Sequence, residues 1–428
     1  MDEEKTIERL IFHVDVNSAY LSWESVKRLS EGGEDLRLIP SAVGGDPAKR
    51  TGIILAKSIP AKKYGVTTGE PVSMALQKCP GLVLVRPSFG LYERNSKAFM
   101  SICRKYAPVM QKFSVDECFL DMTGTSLIYP DPIALAHQIK DEIRDTLGFT
   151  VNIGIGSNRL LAKMASDFEK PDKVHTLFTH EIQEKMWPLP VGDLLFVGKM
   201  STARLQEAGI MTIGALATAP VGKIQGILGE KGGLAAWESA NGIDDSPVSE
   251  EREEAKGYSV STTLEEDVTS LEKAKHVLLA LADSVARRMR ADGAKTNCVA
   301  VDIRLSKLKN SSGNTPSSRF TNKSRQRKLD APTDVTDEIY ETAVTLFQEL
   351  WRGEPLRLLG IALSDVTREE YEQVSLFQDE KHERSRKLDA AMDKIRGRFG
   401  SDAVFRGGAA DAGRIGQKFK TRAEDEQE

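Results

Sequence analysis

The sequence predicts an α+β multidomain fold, and three observations carry that expectation. Its 428 residues exceed what one compact core accommodates. Between residues 10 and 158, apolar segments follow a β-α-β-β-α-β order, which suggests an antiparallel, ferredoxin-like sheet backed by helices. A polar, charge-mixed connector, "DDSPVSEEREEAKGYS", then separates this part from an independent α+β module at 258–367.

The elements follow in order. "LIFHVD" (10–15) reads as a short buried strand ending in an acid, and "NSAYLSWESVKRLS" as a helix capped by Asn17 or Ser18. Its apolar positions Ala19, Trp23, Val26 and Leu29 fall at helical spacing. Residues 36–77, with the turn "GGDPAKRTG" and then "GIILAKSIPAKKYGV", form a small subdomain carrying several lysines. "LVLVRPS" (82–88) is a strand, 92–107 a helix, "FSVDECFLDM" (113–122) opens a hairpin, and 132–147 is a helix. "TVNIGIGSN" (150–158) is a strand feeding a helix on which Leu161, Met164, Ala165 and Phe168 share a face. Residues 176–245 are short, Gly-punctuated helices. The 258–367 module has helices near 270–291 and 333–351 and strands near 296–306 and 355–366. Beyond it come a polar loop, an amphipathic helix near 384–398 (Leu388, Ala391, Met392, Ile395) and a polar tail expected to be disordered. No long-range repeat is visible.

Charge and cysteine usage narrow the function classes. Lys and Arg total 59 against 63 Asp and Glu, a net charge of −4, so nucleic-acid binding must rest on local basic surfaces. The four cysteines form no C-x-x-C pair, which disfavours a zinc site or a disulfide framework. The start, "MDEEKTIERL", lacks a signal-peptide apolar core, and no apolar stretch approaches the ~20 residues of a membrane span. A cytoplasmic location is expected.

Chemistry concentrates in the acids. Asp116 and Glu117 are adjacent at the head of the hairpin, and adjacent carboxylates repel unless a cation neutralises them. Asp15 ends a strand that can neighbour them at about 4.8 Å. Three such acids can hold two hard cations that activate a hydroxyl and stabilise a leaving phosphate oxygen. By spacing alone, a solvated turn and a helix-capping Asp15 explain them equally well. The stretch "RLSKLKNSSGNTPSSRFTNKSRQRK" (304–328) is the clearest local basic surface; it includes Arg304, Arg319, Lys323, Arg325 and Arg327 and has no acid. A sheet edge lined by cations suits tracking along a duplex backbone.

"FHVDVNSAYLSWE", "SVDECFLDMT" and "IGIGSNRLLAKMASDFEKPD", in that order, resemble the active-site motifs of Y-family translesion DNA polymerases, the DNA polymerase IV and UmuC-like group. The resemblance continues through "LPVGDLLFVGKMSTARLQEAGIMTIGALA" and "AWESANGIDDSPV" and covers nearly the whole chain. It implies a right-hand polymerase: palm at 1–25 and 78–175, fingers at 26–77, a helical thumb at 176–245, a linker at 246–257, a little finger at 258–367 and a tail at 368–428. It implies error-prone, template-directed synthesis across damaged bases by two-metal nucleotidyl transfer, without proofreading. Asp15, Asp116 and Glu117 match the family's metal-binding triad, with the carbonyl of Val16 a further ligand for two Mg²⁺ ions, Mn²⁺ being the alternative. Tyr20 matches the steric gate beneath the incoming sugar. Lys62 and Lys170 match positions that touch the triphosphate.

The chain departs from the commoner pattern at Ile59, where Tyr is frequent, and at Lys62, where Arg is frequent; lysine offers a point charge rather than a planar fork. "LLFVGKMSTARLQEAGI" resembles a helix-hairpin-helix, whose backbone amides bind a DNA phosphate, with Gly198 retained and Phe196 in place of the first glycine. A less tight hairpin is expected. "QVSLF" resembles the peptides that dock bacterial polymerases on the sliding clamp, Leu376 and Phe377 entering an apolar groove and Gln373 anchoring them. The implied partners are primer-template DNA, deoxynucleoside triphosphates and the clamp; no membrane is involved, and a monomer is expected. The rival readings are a DNA-binding scaffold that has lost catalysis and a palm-type nucleotidyl cyclase. The first would dispense with the acids that this chain keeps, and the second would not need the basic strip, the helix-hairpin-helix or the clamp-like peptide.

Overall fold

The computed structural model describes residues 9–46, 52–251, 254–306, 321–369 and 380–408. Arg319 and the Gln373, Leu376 and Phe377 peptide lie outside the described residues. The chain forms two compact units that divide within the 246–257 connector.

The first unit holds strands β1 (Ile11–Val16), β2 (Ser41–Gly44), β3 (Ile54–Lys57), β4 (Val83–Val85), β5 (Val109–Lys112), β6 (Glu117–Asp121), β7 (Val151–Gly156) and β8 (Val174–Leu177). Its main sheet has the order β5-β6-β1-β7-β8. The β5-β6-β1-β7 part is antiparallel throughout, as the ferredoxin-like expectation requires, and β8 joins β7 in parallel. β8 has no counterpart among the segments expected from the sequence. A smaller sheet, β3-β2-β4, occupies the lysine-bearing region; because β4 pairs with β2, that sheet reaches past residue 77 to Val85.

Strand alternation sorts the side chains of β1. Phe12, Val14 and Val16 enter a core shared with Leu21 and Trp23 of the helix Ala19–Ser30, Phe99 of the helix Phe89–Arg104 and Ile139 of the helix Pro132–Leu147. The other set, Ile11, His13 and Asp15, faces the opposite side, where Ile11 meets Phe119 and Ala162 of the helix Arg159–Ser166. Gly154 lets this helix lie close on β7. A Cβ there would sit 2.0 Å from the Ala162 carbonyl oxygen and 2.4 Å from the Ser166 amide nitrogen. Ser18 holds the N-cap position of the helix Ala19–Ser30 at φ 47, but its side chain makes no capping bond. Leu29, expected on the buried face, is exposed.

Helices Lys199–Glu207, Ile213–Thr218, Val221–Leu228 and Glu230–Ala240 complete this unit, as the Gly-punctuated segment predicted. They pack on Leu205, Ile213, Leu216 and Ile224.

The second unit is a four-stranded sheet of order β11-β10-β12-β9, built from β9 (Tyr258–Val268), β10 (Lys295–Leu305), β11 (Asn322–Thr333) and β12 (Leu356–Thr367). Val299, Val301, Ile303, Leu359 and Ile361 pack on the helices Leu271–Ala291 and Thr336–Leu350. The helix Glu380–Phe399 differs from its apolar pattern: Leu388 and Ile395 are exposed, whereas Asp389, Met392 and Arg396 are buried. Ion pairs hold it instead, Arg396 with Asp283 at 2.7 Å and Arg290 with Asp393 at 2.7 Å. Among the described residues, no helix is long and apolar enough to cross a membrane.

Candidate active site

Register brings two of the three acids together. Asp15 of β1 lies opposite Glu117 of β6, and residues directly opposite share one face of a sheet at about 5 Å between Cα atoms. Asp116 is fixed at the strand entrance, where the Val16 amide donates to its carbonyl at 3.0 Å. The Ser114 hydroxyl donates to Asp116 Oδ1 at 2.6 Å and reaches Glu117 Oε2 at 3.5 Å. Two carboxylates therefore border one hydroxyl.

Lysines neutralise the outer two acids. Lys170 Nζ pairs with Asp15 Oδ2 and, at 2.7 Å, with Asp167 Oδ1. Lys163 Nζ pairs with Glu117 Oε1 at 2.6 Å. Lys163 reaches that carboxylate because the helix Arg159–Ser166 lies flat on β7, the consequence of Gly154. Asn152 supports Lys170 from behind, donating to the Ser166 and Glu169 carbonyls at 3.0 and 2.6 Å.

Burial pushes the Asp15 carboxyl up to about 6; Lys170 works against that shift, while Glu117 and Asp116 add to it. Desolvation and two like charges outweigh one ammonium, so the site favours additional positive charge. The donor set is of the kind hard divalent cations take, carboxylate oxygens beside a hydroxyl. Among the described residues, no three acidic, histidine or cysteine side chains converge tightly enough to hold an ion. Lysine pairing divides the acids. Lys170 and Lys163 each take one oxygen of the acid they pair with, Asp15 Oδ2 and Glu117 Oε1.

Beside the acids opens a cleft of about 450 Å³ lined by Asp15, Val16, Tyr20, Asp116, Lys62 and Lys170, among others. Both expected phosphate-binding lysines and the expected gate therefore share one cavity with two acids. The Tyr20 ring is braced from behind, stacked on Tyr92 with centroids 4.5 Å apart and planes at 19°. Tyr92 is itself fixed by a 2.7 Å hydrogen bond to Glu24 Oε1. Ile59, at the frequent tyrosine position, lines the same cleft with its apolar side chain.

Lys57 also lines this cleft and was missed from sequence. The alternation of β3 carried the signal, since Leu55 and Lys57 share the half-exposed face while Ile54 and Ala56 are buried. Burial first, and then repulsion from Lys62, lowers the Lys57 ammonium's pKa.

A second cavity, of about 200 Å³, is lined by Phe113, Phe119, Arg159, Lys163, Phe196 and Ile243, among others. Its residues come from the hairpin, the helix Arg159–Ser166, the turn before Lys199–Glu207 and the end of the helix Glu230–Ala240 with the segment after it. Arg159 stacks over Phe119 at 4.8 Å from the ring centre. Gly198 is the N-cap of Lys199–Glu207, and a Cβ there would meet no atom within 4 Å, so the surface over the helix start is open. Phe196, in the turn before that helix, adopts φ 69, the left-handed conformation natural to glycine, at an intrinsic cost of about 1–2 kcal/mol. The residue is 82% exposed.

The basic strip is divided by register. Lys323, Arg325 and Arg327 lie on the edge strand β11 opposite Ile303, Val301 and Val299, so they share the helix-covered face. Arg325 and Arg327 both bind Glu349, at 2.9 and 2.6 Å, and Lys323 binds Glu354 at 2.7 Å. Local acids, invisible within the stretch itself, offset part of its charge. Arg304 lies opposite Asn322 on the other face and donates to it at 2.9 Å.

Comparison with known proteins adds a consistent set of likenesses. Residues 14–167 match the model of the impB/mucB/samB family, and residues 255–376 match that of the impB/mucB/samB family C-terminal domain. DNA polymerase IV of Clostridium acetobutylicum is 42% identical over 399 residues, covering 93% of this chain and 97% of that relative. DNA polymerase IV 2 of Bacillus subtilis is 36% identical over 423 residues, covering 97% and 98%. Among solved structures, a Y-family DNA polymerase chimera, Dbh-Dpo4(243-245)-Dbh, superposes with a TM-score of 0.70 at 22% identity, covering 84% of this chain and all of that one. At that identity the superposition speaks to fold.

Proposed function

We propose, from the premise that this chain belongs to the impB/mucB/samB family of bacterial Y-family DNA polymerases, that its acid-lined cleft adds deoxynucleotides to a primer opposite damaged templates. The observation that carries the reading is the meeting of Asp15 and Glu117 across β1 and β6, with Asp116 beside them, at the mouth of a cleft holding Tyr20, Lys62 and Lys170.

Two divalent cations, Mg²⁺ in this reading, supply Lewis acidity and neutralise phosphate charge when bound. Asp15, Asp116 and Glu117 would hold them, with the Val16 carbonyl as a further oxygen. The chain's own residues do the positioning. Lys62 and Lys170, with Lys57 beside them, face the triphosphate and offset its remaining charge. Tyr20, braced by Tyr92, closes the floor beneath the sugar and leaves no room for a 2′-hydroxyl. Ser114 holds Asp116 and Lys163 holds Glu117, so both acids keep a fixed direction.

Within this reading the β5-β6-β1-β7-β8 sheet is the palm, β3-β2-β4 the fingers, the helices between 199 and 240 the thumb, and the second unit the little finger. The turn at Gly198 and the cations Arg304, Lys323, Arg325 and Arg327 bind primer-template phosphates without reading sequence. Gln373, Leu376 and Phe377 dock on the sliding clamp, and the protein works as a cytoplasmic monomer. Primer extension with Mg²⁺ on damaged and undamaged templates tests the reading beside an Asp116→Ala control. Wild type extends, and the control loses about a hundredfold or more. Equal extension by both would reject it.

A further inference from the structure

We propose that Asn17 and Asn152 are positioning residues, whose hydrogen-bonded side-chain amides hold the segment 167–173 and so fix where Lys170 meets the nucleotide, a role that rests on the reading of Lys170 as a triphosphate contact.

Three observations carry it. First, Lys170 lies where regular structure gives no support. The segment 167–173 joins the helix Arg159–Ser166 to β8 and is itself neither helix nor strand. Lysine is a point charge on a flexible stem, so the backbone that carries it decides where the ammonium can reach.

Second, two buried amides bracket Lys170. Asn152 is fully buried and Asn17 nearly so. Asn17 Nδ2 donates to Asn152 Oδ1 at 3.1 Å. Asn152 Nδ2 donates to the Ser166 and Glu169 carbonyls, ahead of Lys170. Beyond Lys170, the Lys173 amide donates to Asn152 Oδ1 at 3.2 Å and the Asp172 amide to Asn17 Oδ1 at 3.0 Å. Both donors and both acceptor directions of the Asn152 amide are thereby used. The buried Lys140 secures the far end, binding Asp172 at 2.9 Å where that residue holds φ 61.

Third, the anchor is tied to the acids. Asn152 lies opposite Asp15 across β1 and β7, and Asn17 lines the nucleotide cleft. Lys170 itself pairs with Asp15. The two amides therefore hold the ammonium in register with the strand that carries the acid. Asn152 does not line the cleft, so its influence on the nucleotide passes through Lys170.

The test is single-nucleotide primer extension by Asn152→Ala, Lys170→Ala and the double variant, with thermal unfolding of each. Asn152→Ala is expected to raise the nucleotide KM about tenfold, the scale of a small misplacement, with a lesser change in kcat. The double variant is expected to have the KM of Lys170→Ala alone, because residues that act through one another are not additive. Asn152→Ser, which keeps one hydrogen-bonding group, falls between wild type and Asn152→Ala and carries the same comparison if Asn152→Ala is unfolded at the assay temperature. A wild-type KM in the folded variant overturns the inference, as do effects that multiply in the double variant, which would make Asn152 a structural residue only. An unchanged KM in Lys170→Ala would instead remove the triphosphate reading of Lys170, and the positioning role with it.

Discussion

The two large sheets carry charge in opposite settings. In the first, β1 and β7 are buried along their whole length, and each acid at their mouth has an assigned partner: Lys170 for Asp15, Lys163 for Glu117, Ser114 for Asp116. In the second, helices cover one face, while Ser259, Ser261 and Asp302 on the other face are exposed. Its cations line an edge strand where two arginines share one glutamate. Charge on a sheet covered on both faces is expensive to leave unpaired, so it is held in one geometry. Charge at an exposed edge is screened and adjustable. The first setting suits chemistry and the second a sliding grip.

If that contrast is right, disturbing the covered sheet has the larger consequences. The strongest disturbance is Gly154→Ala. Its methyl meets backbone on the helix Arg159–Ser166, and backbone cannot yield as a side-chain tip can. We expect destabilisation of about 3 kcal/mol, read by denaturant unfolding, with extension reduced even in the folded fraction. Wild-type stability would mean that the helix does not lie this close to β7.

Lys163→Met should act more narrowly. It leaves the half-buried Glu117 without its ammonium, and we expect kcat to fall about ten- to a hundredfold, the scale of a small misplacement of reacting groups. The nucleotide KM should stay close to wild type, because Lys163 does not line the nucleotide cleft, and Lys163→Arg should recover part of the rate. A change confined to KM would place Lys163 with the nucleotide instead.

Paired reversal, Arg325→Glu with Arg327→Glu, should have the smallest effect. We expect duplex affinity to fall a few-fold at low salt, with the salt slope lowered by about one to two. Melting should move little, since exposed ion pairs contribute about 0–1 kcal/mol. Unchanged affinity and slope would remove β11 from the DNA grip.

How much was legible in the sequence follows the same division. The ferredoxin-like order, the helical stretch after residue 176 and the second α+β module were readable because alternation and helical periodicity record burial. β8 was not, since "VHTL" is short and only half-buried. The face of the helix Glu380–Phe399 was misread for a physical reason: its buried stripe carries Asp389 and Arg396, which a hydrophobic pattern cannot register. At the site, Asp15, Asp116, Tyr20, Lys62 and Lys170 gather as expected, because strand ends and a helix start fix them. The lysine partners of the acids were not foreseen, since each pairing depends on how closely a helix approaches the sheet. Nor were Glu349 and Glu354, which come from outside the basic stretch they temper. The left-handed backbone of Phe196 was not legible either, because a bulky residue does not prefer it.

The most direct test of the central claim is to count divalent ions at the acids. Mn²⁺ titration followed by electron paramagnetic resonance, with primer-template DNA and a non-hydrolysable nucleotide present, reads the number bound. The account predicts two ions in wild type and fewer in Asp15→Asn and Glu117→Gln. Two ions retained in both variants, or none in wild type, would contradict it.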